Sequence, residues 1–238
     1  MKSFKLVVLF VLFPVLALAQ QSRTPFTPYN KSYFDLKGSV KSVLIKEKSV
    51  EYDSDLSKRI NFDNKGRVAS MDFINGQRTI TRTFTYDESG RLIKVAGDCV
   101  KYIPEYNKSG DLIKETYITE ISNGFKYGFF QEYSYDVNGL VLSNRICYME
   151  SECSTTEYLY KDGKLVQQTE YGLGENYQSD CDDSGRFVSM KVINSENNKV
   201  LSQSKYTYQI DEQNNWIKKE QLNDNHLQST TTREITYY

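Results

Sequence analysis

The chain has 238 residues, of which 39% are hydrophobic and 13% aromatic, and its formal net charge is −1. Because the charge is near neutral and no dense run of lysine and arginine occurs, we do not expect the protein to bind a nucleic-acid backbone electrostatically. The length is sufficient for a folded domain with a substantial core.

The first 19 residues have the organisation of a secretory signal peptide. Lys2 and Lys5 form a basic start, an apolar stretch covers residues 6–18, and Ala17-Leu18-Ala19 is a cleavage site of small residues. The apolar stretch is short for a transmembrane helix, and no cysteine stands at the cleavage point. We therefore predict a secreted or periplasmic protein without a lipoprotein cysteine and without a membrane span after cleavage.

The rest of the chain divides into a short leader and one long domain. Residues 20–30, which include Pro25 and Pro28, are interpreted as a leader or linker. Residues 31–238 contain no long low-complexity segment or charge block, so we interpret them as a single repeat domain of about eight units.

A turn motif recurs along this domain: an aromatic residue, Asp, two variable residues, Gly, one further residue, and then Leu or Val. Tyr86-Asp87-Glu88-Ser89-Gly90-Arg91-Leu92 is the clearest copy, the copy at Tyr160 is one residue shorter, and the last copy has Asn in place of Gly. The turn residues are Asp35 and Gly38, Asp63 and Gly66, Asp87 and Gly90, Asn107 and Gly110, Asp136 and Gly139, Gly163, Asp182 and Gly185, and Asp211 and Asn214.

Each copy predicts a β-hairpin. Asp or Asn begins a type I turn by accepting a backbone hydrogen bond, and the later Gly or Asn takes positive φ. The flanks alternate as strands do, as in Phe84-Thr85-Tyr86. Further turn residues lie between the copies, at Asn75-Gly76, Gly97-Asp98, Asn123-Gly124, Gly172 to Gly174, Asn194 to Asn198 and Asn223 to Asn225.

Turns at both ends of each strand pair predict an all-β fold, an antiparallel meander of repeated hairpins. The copies imply on the order of 16 strands, and a sheet of that size curls because its strands twist. We expect one long curved or twisted sheet or a solenoid-like shell; the sequence leaves open whether it closes, spirals or stays open.

The four cysteines allow more than one arrangement. Cys147 and Cys153 lie symmetrically about Glu150, so a hairpin there places them opposite each other at disulfide distance. Cys99 and Cys181 then remain as a possible second disulfide. Buried unpaired thiols are the alternative, and Cys181, which occupies an aromatic position of the repeat, fits that alternative.

No motif for catalysis or metal binding stands out. We therefore predict no catalytic residue, no metal site and no cofactor. The only histidine, His226, lies in a polar stretch, where a solvated residue is the simpler interpretation. Residues 180–185 imitate the start of a calcium-binding loop, but the twelfth position is Lys191 rather than Glu. A repeated turn accounts for the same residues.

The run Tyr86 to Leu92 resembles the YD repeat of the Rhs family over most of residues 34–216. That resemblance implies a β-sheet shell, and some repeats of the family are associated with carbohydrate binding. The chain is too short to enclose a cargo and lacks the Asp-Pro-x-Gly processing motif of the large shells. Residues 160–165 and 170–172 are also similar to MORN-type repeats, which are hairpin scaffolds.

Three functions compete at this level. The first is a non-enzymatic scaffold that binds a polysaccharide through exposed tyrosines and Trp216. The second is an interaction or immunity-like partner of an envelope protein, because repeat sheets offer long surfaces. The third is a glycan hydrolase, which requires two carboxylates facing each other across a cleft. The ligand-binding residues cannot be assigned from the sequence.

Overall fold

The protein forms one antiparallel sheet of 16 strands that curves into a nearly closed shell. The computed structural model describes residues 29–50, 56–97, 100–120, 126–148, 153–172 and 174–238. Within these residues no helix is long and apolar enough to cross a membrane. The elements are a 3-10 helix (Lys31–Phe34) and the strands β1 (Val40–Ser49), β2 (Leu56–Phe62), β3 (Val68–Asn75), β4 (Arg78–Tyr86), β5 (Leu92–Ala96), β6 (Val100–Tyr106), β7 (Leu112–Glu120), β8 (Lys126–Tyr135), β9 (Val141–Tyr148), β10 (Cys153–Lys161), β11 (Lys164–Tyr171), β12 (Glu175–Cys181), β13 (Phe187–Asn194), β14 (Val200–Ile210), β15 (Trp216–Asn223) and β16 (His226–Tyr237).

The sheet order confirms the predicted antiparallel meander. Strands that follow each other in the chain are neighbours in the sheet, except β5 and β6. β1 pairs with β16, so the first and last strands join within the sheet, and β5 and β6 form its two edges. The predicted signal peptide (residues 1–19) lies outside the described residues. Of the predicted leader (residues 20–30), the structure describes Tyr29 and Asn30.

Most of the repeated turns are held by the side-chain oxygen at their first position. Asp63 Oδ1 accepts hydrogen bonds from the backbone N–H groups of Lys65 and Arg67, both at 2.9 Å. The Asp63 N–H donates to the Arg67 carbonyl at 2.8 Å. Gly66 completes the turn with φ of +75°, where glycine has no steric cost. Equivalent pairs of bonds to the first side chain are made at Asn107, Asp136, Asp182 and Asp211.

The shorter copy forms a different turn. Asp162 and Gly163 both have positive φ, +52° and +74°, and Lys161 pairs directly with Lys164. Two positive φ values in a two-residue loop are the geometry of a type I′ hairpin. The loss of one residue therefore changes the turn type and preserves the hairpin.

The tyrosine and the arginine of the motif connect one hairpin to the next. The Tyr86 hydroxyl donates to the Val68 carbonyl of the preceding copy at 2.9 Å. The Arg67 guanidinium bonds Asp63 Oδ2 at 2.8 Å and stacks 4.6 Å from the centre of the Tyr86 ring. The same hydroxyl-to-carbonyl bond joins Tyr106 to Leu92, Tyr135 to Leu112, and Tyr208 to Phe187.

A β-bulge follows each repeated turn and changes which residues face inward. Tyr86 pairs with Leu92 and Thr85 with Lys94, so Ile93 is the extra residue. Leu92 and Val95 are both buried, three residues apart, while Ile93 between them is exposed. Because a regular strand alternates every two residues, the bulge sets a spacing of three on the inner face.

The two ends of the described chain together form one copy of the repeat. Val40 pairs with Tyr237 as Leu92 pairs with Tyr86, and the Tyr238 N–H donates to the Ser39 carbonyl at 2.9 Å, in the position of the usual turn bond. Gly38 keeps positive φ, +76°. The predicted first hairpin at Asp35 and Gly38 is therefore not a hairpin: its first strand comes from the C-terminal end of the sheet.

Asp35 has a different role from the one predicted. It ends the 3-10 helix with φ of +52°, and its N–H donates to the Ser32 carbonyl. The physical reason is that residues 29–36 turn into the shell instead of forming a strand, so no strand precedes Asp35 among the described residues.

The opposite ends of the strands turn mostly where the sequence predicts. Turns occur at Gly76, at Asn194 to Asn198 and at Asp224-Asn225, whereas the predicted turn at Asn123-Gly124 lies outside the described residues. Gly97 ends β5 with φ of +120°, and a Cβ there would lie 2.1 Å from the Thr81 carbonyl oxygen. Only glycine fits this backbone contact.

Residues 29–36 form a plug segment inside the shell. Phe34 and Leu36 are buried in a core cluster with residues of β1, β2 and β3. Tyr33 packs against that cluster and also against the cluster around Leu112. Tyr29 contacts the first cluster and the one around Leu92. The plug segment thus joins hydrophobic clusters from different parts of the sheet.

We expect Asp63→Ala to destabilise the fold by about 1–2 kcal/mol, because two backbone donors lose their charged acceptor. Asp63→Asn should cost less, because the side-chain oxygen of Asn107 makes the same bonds naturally. Urea unfolding of the three proteins measures the difference. Equal losses for the two variants would contradict the role given to the side-chain oxygen.

Candidate functional site

One row of interior positions is apolar in the first copies of the repeat and mostly polar in the later ones. The third residue after the Leu or Val of each copy follows the bulge and belongs to one row of equivalent positions. In order along the chain, this row is Val43, Met71, Val95, Glu115, Asn144, Gln168, Met190 and Lys219. Glu115 is fully buried, and Asn144 and Gln168 are nearly so. Polar residues in a buried row need partners, so this row is where an interior site would be built.

A half-enclosed cavity of about 180 Å³ lies beside the plug segment. Its aromatic walls come from the plug segment and from strands β3, β4, β7 and β8, and Lys58 and Arg82 complete the lining. An apolar cavity of similar size, about 150 Å³, holds a ligand as large as benzene. Its lining includes Tyr29, Lys58, Phe73, Arg82, Phe84, Tyr117 and Phe129.

Glu115 anchors one wall of this cavity through tyrosine hydroxyls. The Tyr133 hydroxyl donates to Glu115 Oε1 at 2.6 Å. The hydroxyls of Tyr117 and Tyr29 lie 3.3 and 3.4 Å from Oε2 and 2.7 Å from each other. The Tyr117 ring also stacks on Phe129, with centroids 4.9 Å apart.

Burial raises the pKa of Glu115 to about 7, although hydrogen bonds from the tyrosines act in the opposite direction. The same burial, with the adjacent Glu115 carboxylate, holds the pKa of Tyr133 well above its usual value. The cluster is therefore most stable with Glu115 protonated. The tyrosine hydroxyls occupy its oxygen atoms, which suits a structural role.

Two pairs of cations lie on aromatic rings of the inner face. Lys58 and Arg82 both stack on Phe73, with the charged groups 5.8 and 5.1 Å from the ring centroid. On the other side of β1, Arg233 lies 3.4 Å and Lys219 5.8 Å from the centre of the Trp216 ring. We call Lys58, Arg82, Lys219 and Arg233 the interior cation belt.

The belt is electrostatically coupled. Burial, together with the nearby charges of Arg233 and Arg82, lowers the pKa of Lys58 to about 7. Burial also lowers the pKa of Arg233 to about 9, while Asp35 acts to raise it. Strongly perturbed pKa values beside a cavity mark a candidate functional site.

The predicted cysteine positions are partly described. Cys147 and Cys153 lie opposite each other on β9 and β10, with their sulfur atoms 2.02 Å apart in a disulfide. Cys181 makes no disulfide with another described residue, and its predicted partner Cys99 lies outside the described residues. Burial raises the pKa of the Cys181 thiol to about 12.

Trp216 does not lie where a sugar-stacking surface was expected. It is only 8% exposed and is covered by Arg233 on the inner face. The repeat places it in the Leu position after the last turn, which faces the core. The expectation that Trp216 is exposed to stack on a sugar is therefore wrong.

The other candidates have structural surroundings. The Asp182 carboxylate, part of the calcium-like stretch, accepts N–H bonds from Ser184 and Arg186 within its turn. No group of three or more His, Cys, Asp or Glu side chains that could hold a metal occurs among the described residues. His226 is exposed at the start of β16.

The sequence analysis missed the interior residues of the site. Lys58, Arg82 and Arg233 look like ordinary solvent-facing charges, because strands of an open sheet alternate polar and apolar residues. Glu115 was detectable in principle: it stands where Met71 and Val95 stand in earlier copies. The bulge had to be recognised before that correspondence could be used.

Comparisons with known proteins agree with this architecture. The family model described as Teneurin YD-shell matches residues 27–145, half of the chain. The search of curated proteins found no match. A porin-like protein from Bacteroides uniformis is similar in structure with a TM-score of 0.55 and 10% identity, over 89% of this chain and 99% of that one. That likeness shows the fold alone.

Two larger assemblies match more distantly. The TcdB2-TccC3-Cdc42 structure has a TM-score of 0.24 and 9% identity, over 74% of this chain and 14% of that one. The TcdB2-TccC3 structure without its hypervariable C-terminal region gives the same TM-score, identity and coverage. These two similarities carry no argument about function.

We expect Glu115→Gln to remove a pH dependence of stability. A carboxyl group whose pKa is raised on folding destabilises the fold as it ionises, so the wild type should lose about 3 kcal/mol between pH 4.5 and pH 7 through this residue. The variant keeps the side-chain shape without that loss and should be the more stable protein at pH 8. Urea unfolding across this pH range measures the effect.

Glu105→Gln is the matched control, because Glu105 is exposed on the neighbouring strand β6. The unfolding free energy of Glu105→Gln should equal that of the wild type at each pH. Parallel profiles for wild type and Glu115→Gln would refute the buried, proton-binding carboxyl group.

Proposed function

Because the chain belongs to the Teneurin YD-shell family, a family of repeat shells, we propose that it is an exported, non-enzymatic scaffold that holds a ligand inside its shell. The ligand best suited to the cavity is a single sugar ring or the end of a glycan. The observation that carries this proposal is the half-enclosed cavity of about 180 Å³ with walls of aromatic rings.

The aromatic walls suit a sugar. The ring of Tyr29 in the plug segment packs on Phe84 of β4, with centroids 5.2 Å apart. Tyr117 and Phe129 form a stacked pair. Aromatic rings present flat apolar faces, and tyrosine adds a hydroxyl that can hydrogen-bond. A sugar ring needs both kinds of contact, and pockets of this composition usually bind small molecules.

Export and absence of catalysis are parts of the same proposal. The signal-like residues 1–19 support export. The carboxylates of the repeated turns are occupied by backbone donors, as at Asp63 and Asp182. The oxygens of Glu115 are occupied by tyrosine hydroxyls. These uses favour a binding scaffold over the hydrolase alternative.

The test compares two phenylalanines on β8. Phe129→Leu removes a ring from the cavity wall, whereas Phe130→Leu removes a ring that stacks on Lys114 on the outer face. Binding to a panel of monosaccharides, oligosaccharides and peptidoglycan fragments should weaken roughly tenfold in Phe129→Leu, because a stacking ring is lost. It should not change in Phe130→Leu.

Retention of no glycan by the wild type would end the proposal. Equal losses in both variants would also contradict it, because a nonspecific loss of stability affects the two faces alike. Circular dichroism of each variant establishes that the sheet remains folded during the binding measurement.

A protein partner at the outer face is the second candidate, and exposed aliphatic side chains favour it. Leu142 and Leu159 are 43% and 57% exposed on adjacent strands β9 and β10, and Ile93 and Ile113 are exposed at the bulges of other copies. Such a surface suits protein contact. Leu159→Lys should abolish co-purification of a partner from the native periplasm or medium while leaving glycan binding intact; retention of that partner by the variant would count against this surface.

A further inference from the structure

The interior cation belt contains buried hydrogen-bond donors that lack an acceptor. Arg233 is only 5% exposed, and its Nε and Nη1 atoms have no partner in the described part of the chain. The buried Nε of Arg82 is in the same condition. Unpaired buried donors on charged groups are costly, so their persistence points to an acceptor that comes from outside the chain.

The positions of these cations let them act on one ligand. Lys58 and Arg233 both pair with Ile45, from opposite sides of β1. Two strand spacings separate them by about 10 Å, and their long side chains share the inner face with Ile45. Lys219 lies on the same Trp216 ring as Arg233. The four cations therefore line a continuous part of the inner wall.

Two described carboxylates act on the belt without pairing with its arginines. Glu47 acts to raise the pKa of Lys58 and Lys219, and Asp35 acts in the same direction on Arg233. Among the described residues, neither Arg82 nor Arg233 forms an ion pair within 4 Å of a carboxylate. In the described part of the chain, the two arginines of the belt are therefore left without a carboxylate partner.

The belt is continuous with the aromatic cavity. Lys58 and Arg82 line that cavity together with Phe73 and Phe84. A ligand ring in the cavity would therefore carry any substituent on this side towards positive charge. Guanidinium and ammonium groups recognise oxyanions, and arginine presents several donors in a planar array.

We propose that the interior cation belt binds the oxyanion of an acidic sugar, a carboxylate, phosphate or sulfate, while the sugar ring occupies the adjacent cavity. This inference rests on the proposed function and specifies its ligand as acidic. The oxyanion supplies the acceptors that Arg82 and Arg233 lack and balances the positive charge of the inner wall.

The test measures binding of glucuronate, glucose 6-phosphate, glucose and inorganic phosphate by calorimetry at low and high salt. The wild type should bind at least one acidic sugar about tenfold or more tightly than glucose, with affinity that falls as salt rises. Lys58→Met and Arg233→Met should each weaken binding of the acidic sugar by about 10- to 100-fold, because a charge-assisted hydrogen bond is lost. Arg233→Met, whose side chain is outside the cavity lining, should not change binding of glucose.

Lys101→Met is the matched control, since Lys101 is exposed on β6; its affinities should equal those of the wild type. The methionine variants retain side-chain length, and replacing a buried charge by an apolar group often preserves or increases stability. Unfolding in urea checks that all three variants fold.

The outcomes separate the two proposals. Equal affinity for glucose and both acidic sugars overturns the oxyanion inference and leaves the sugar-binding function standing. Inorganic phosphate that binds as tightly as glucose 6-phosphate, with the same loss in Arg233→Met, supports the anion site but removes the role of the sugar. Absence of binding for every probe, or equal losses in the Lys101 control, overturns the oxyanion site.

Discussion

The shell depends on one local interaction: a carboxylate or amide oxygen that accepts the N–H groups of its own turn. Asp63 satisfies two donors that the tight reversal would otherwise leave without partners, and Gly66 takes the positive φ that the reversal requires. The turn fixes where the following bulge occurs, and the bulge fixes which residues face inward. A slip of one residue would turn the inner face outward.

The same motif also carries the longer-range order. Tyr86 bonds the Val68 carbonyl of the previous copy, and Arg67 stacks on that tyrosine while it bonds its own aspartate. Each copy thus positions its neighbour as well as itself. Val40 and Tyr237 form a further copy from separate segments, so the sheet is continuous there without a covalent turn and curves into a nearly closed shell.

The interior follows from this closure. A curved sheet this large leaves space at its centre, and the plug segment fills much of that space with Tyr29, Tyr33 and Phe34. Beyond the plug, the inner wall is polar. Glu115 has its tyrosines, whereas Arg233 retains donors without acceptors. This contrast between a satisfied cluster and an unsatisfied one separates the residues that support the cavity from those suited to a ligand.

The sequence by itself determined the repeated hairpins, the antiparallel meander and the approximate number of strands, because Asp, Gly and alternating aromatics act within a few residues of one another. The pairing geometry of Cys147 and Cys153 is local in the same sense. Only the tertiary structure decided that residues 29–36 fill the interior, that β1 pairs with β16, and that Lys58 and Arg233 share one wall. Those relations join residues far apart in the chain, and the bulge that directs them inward alters the simple two-residue alternation from which side-chain direction is read.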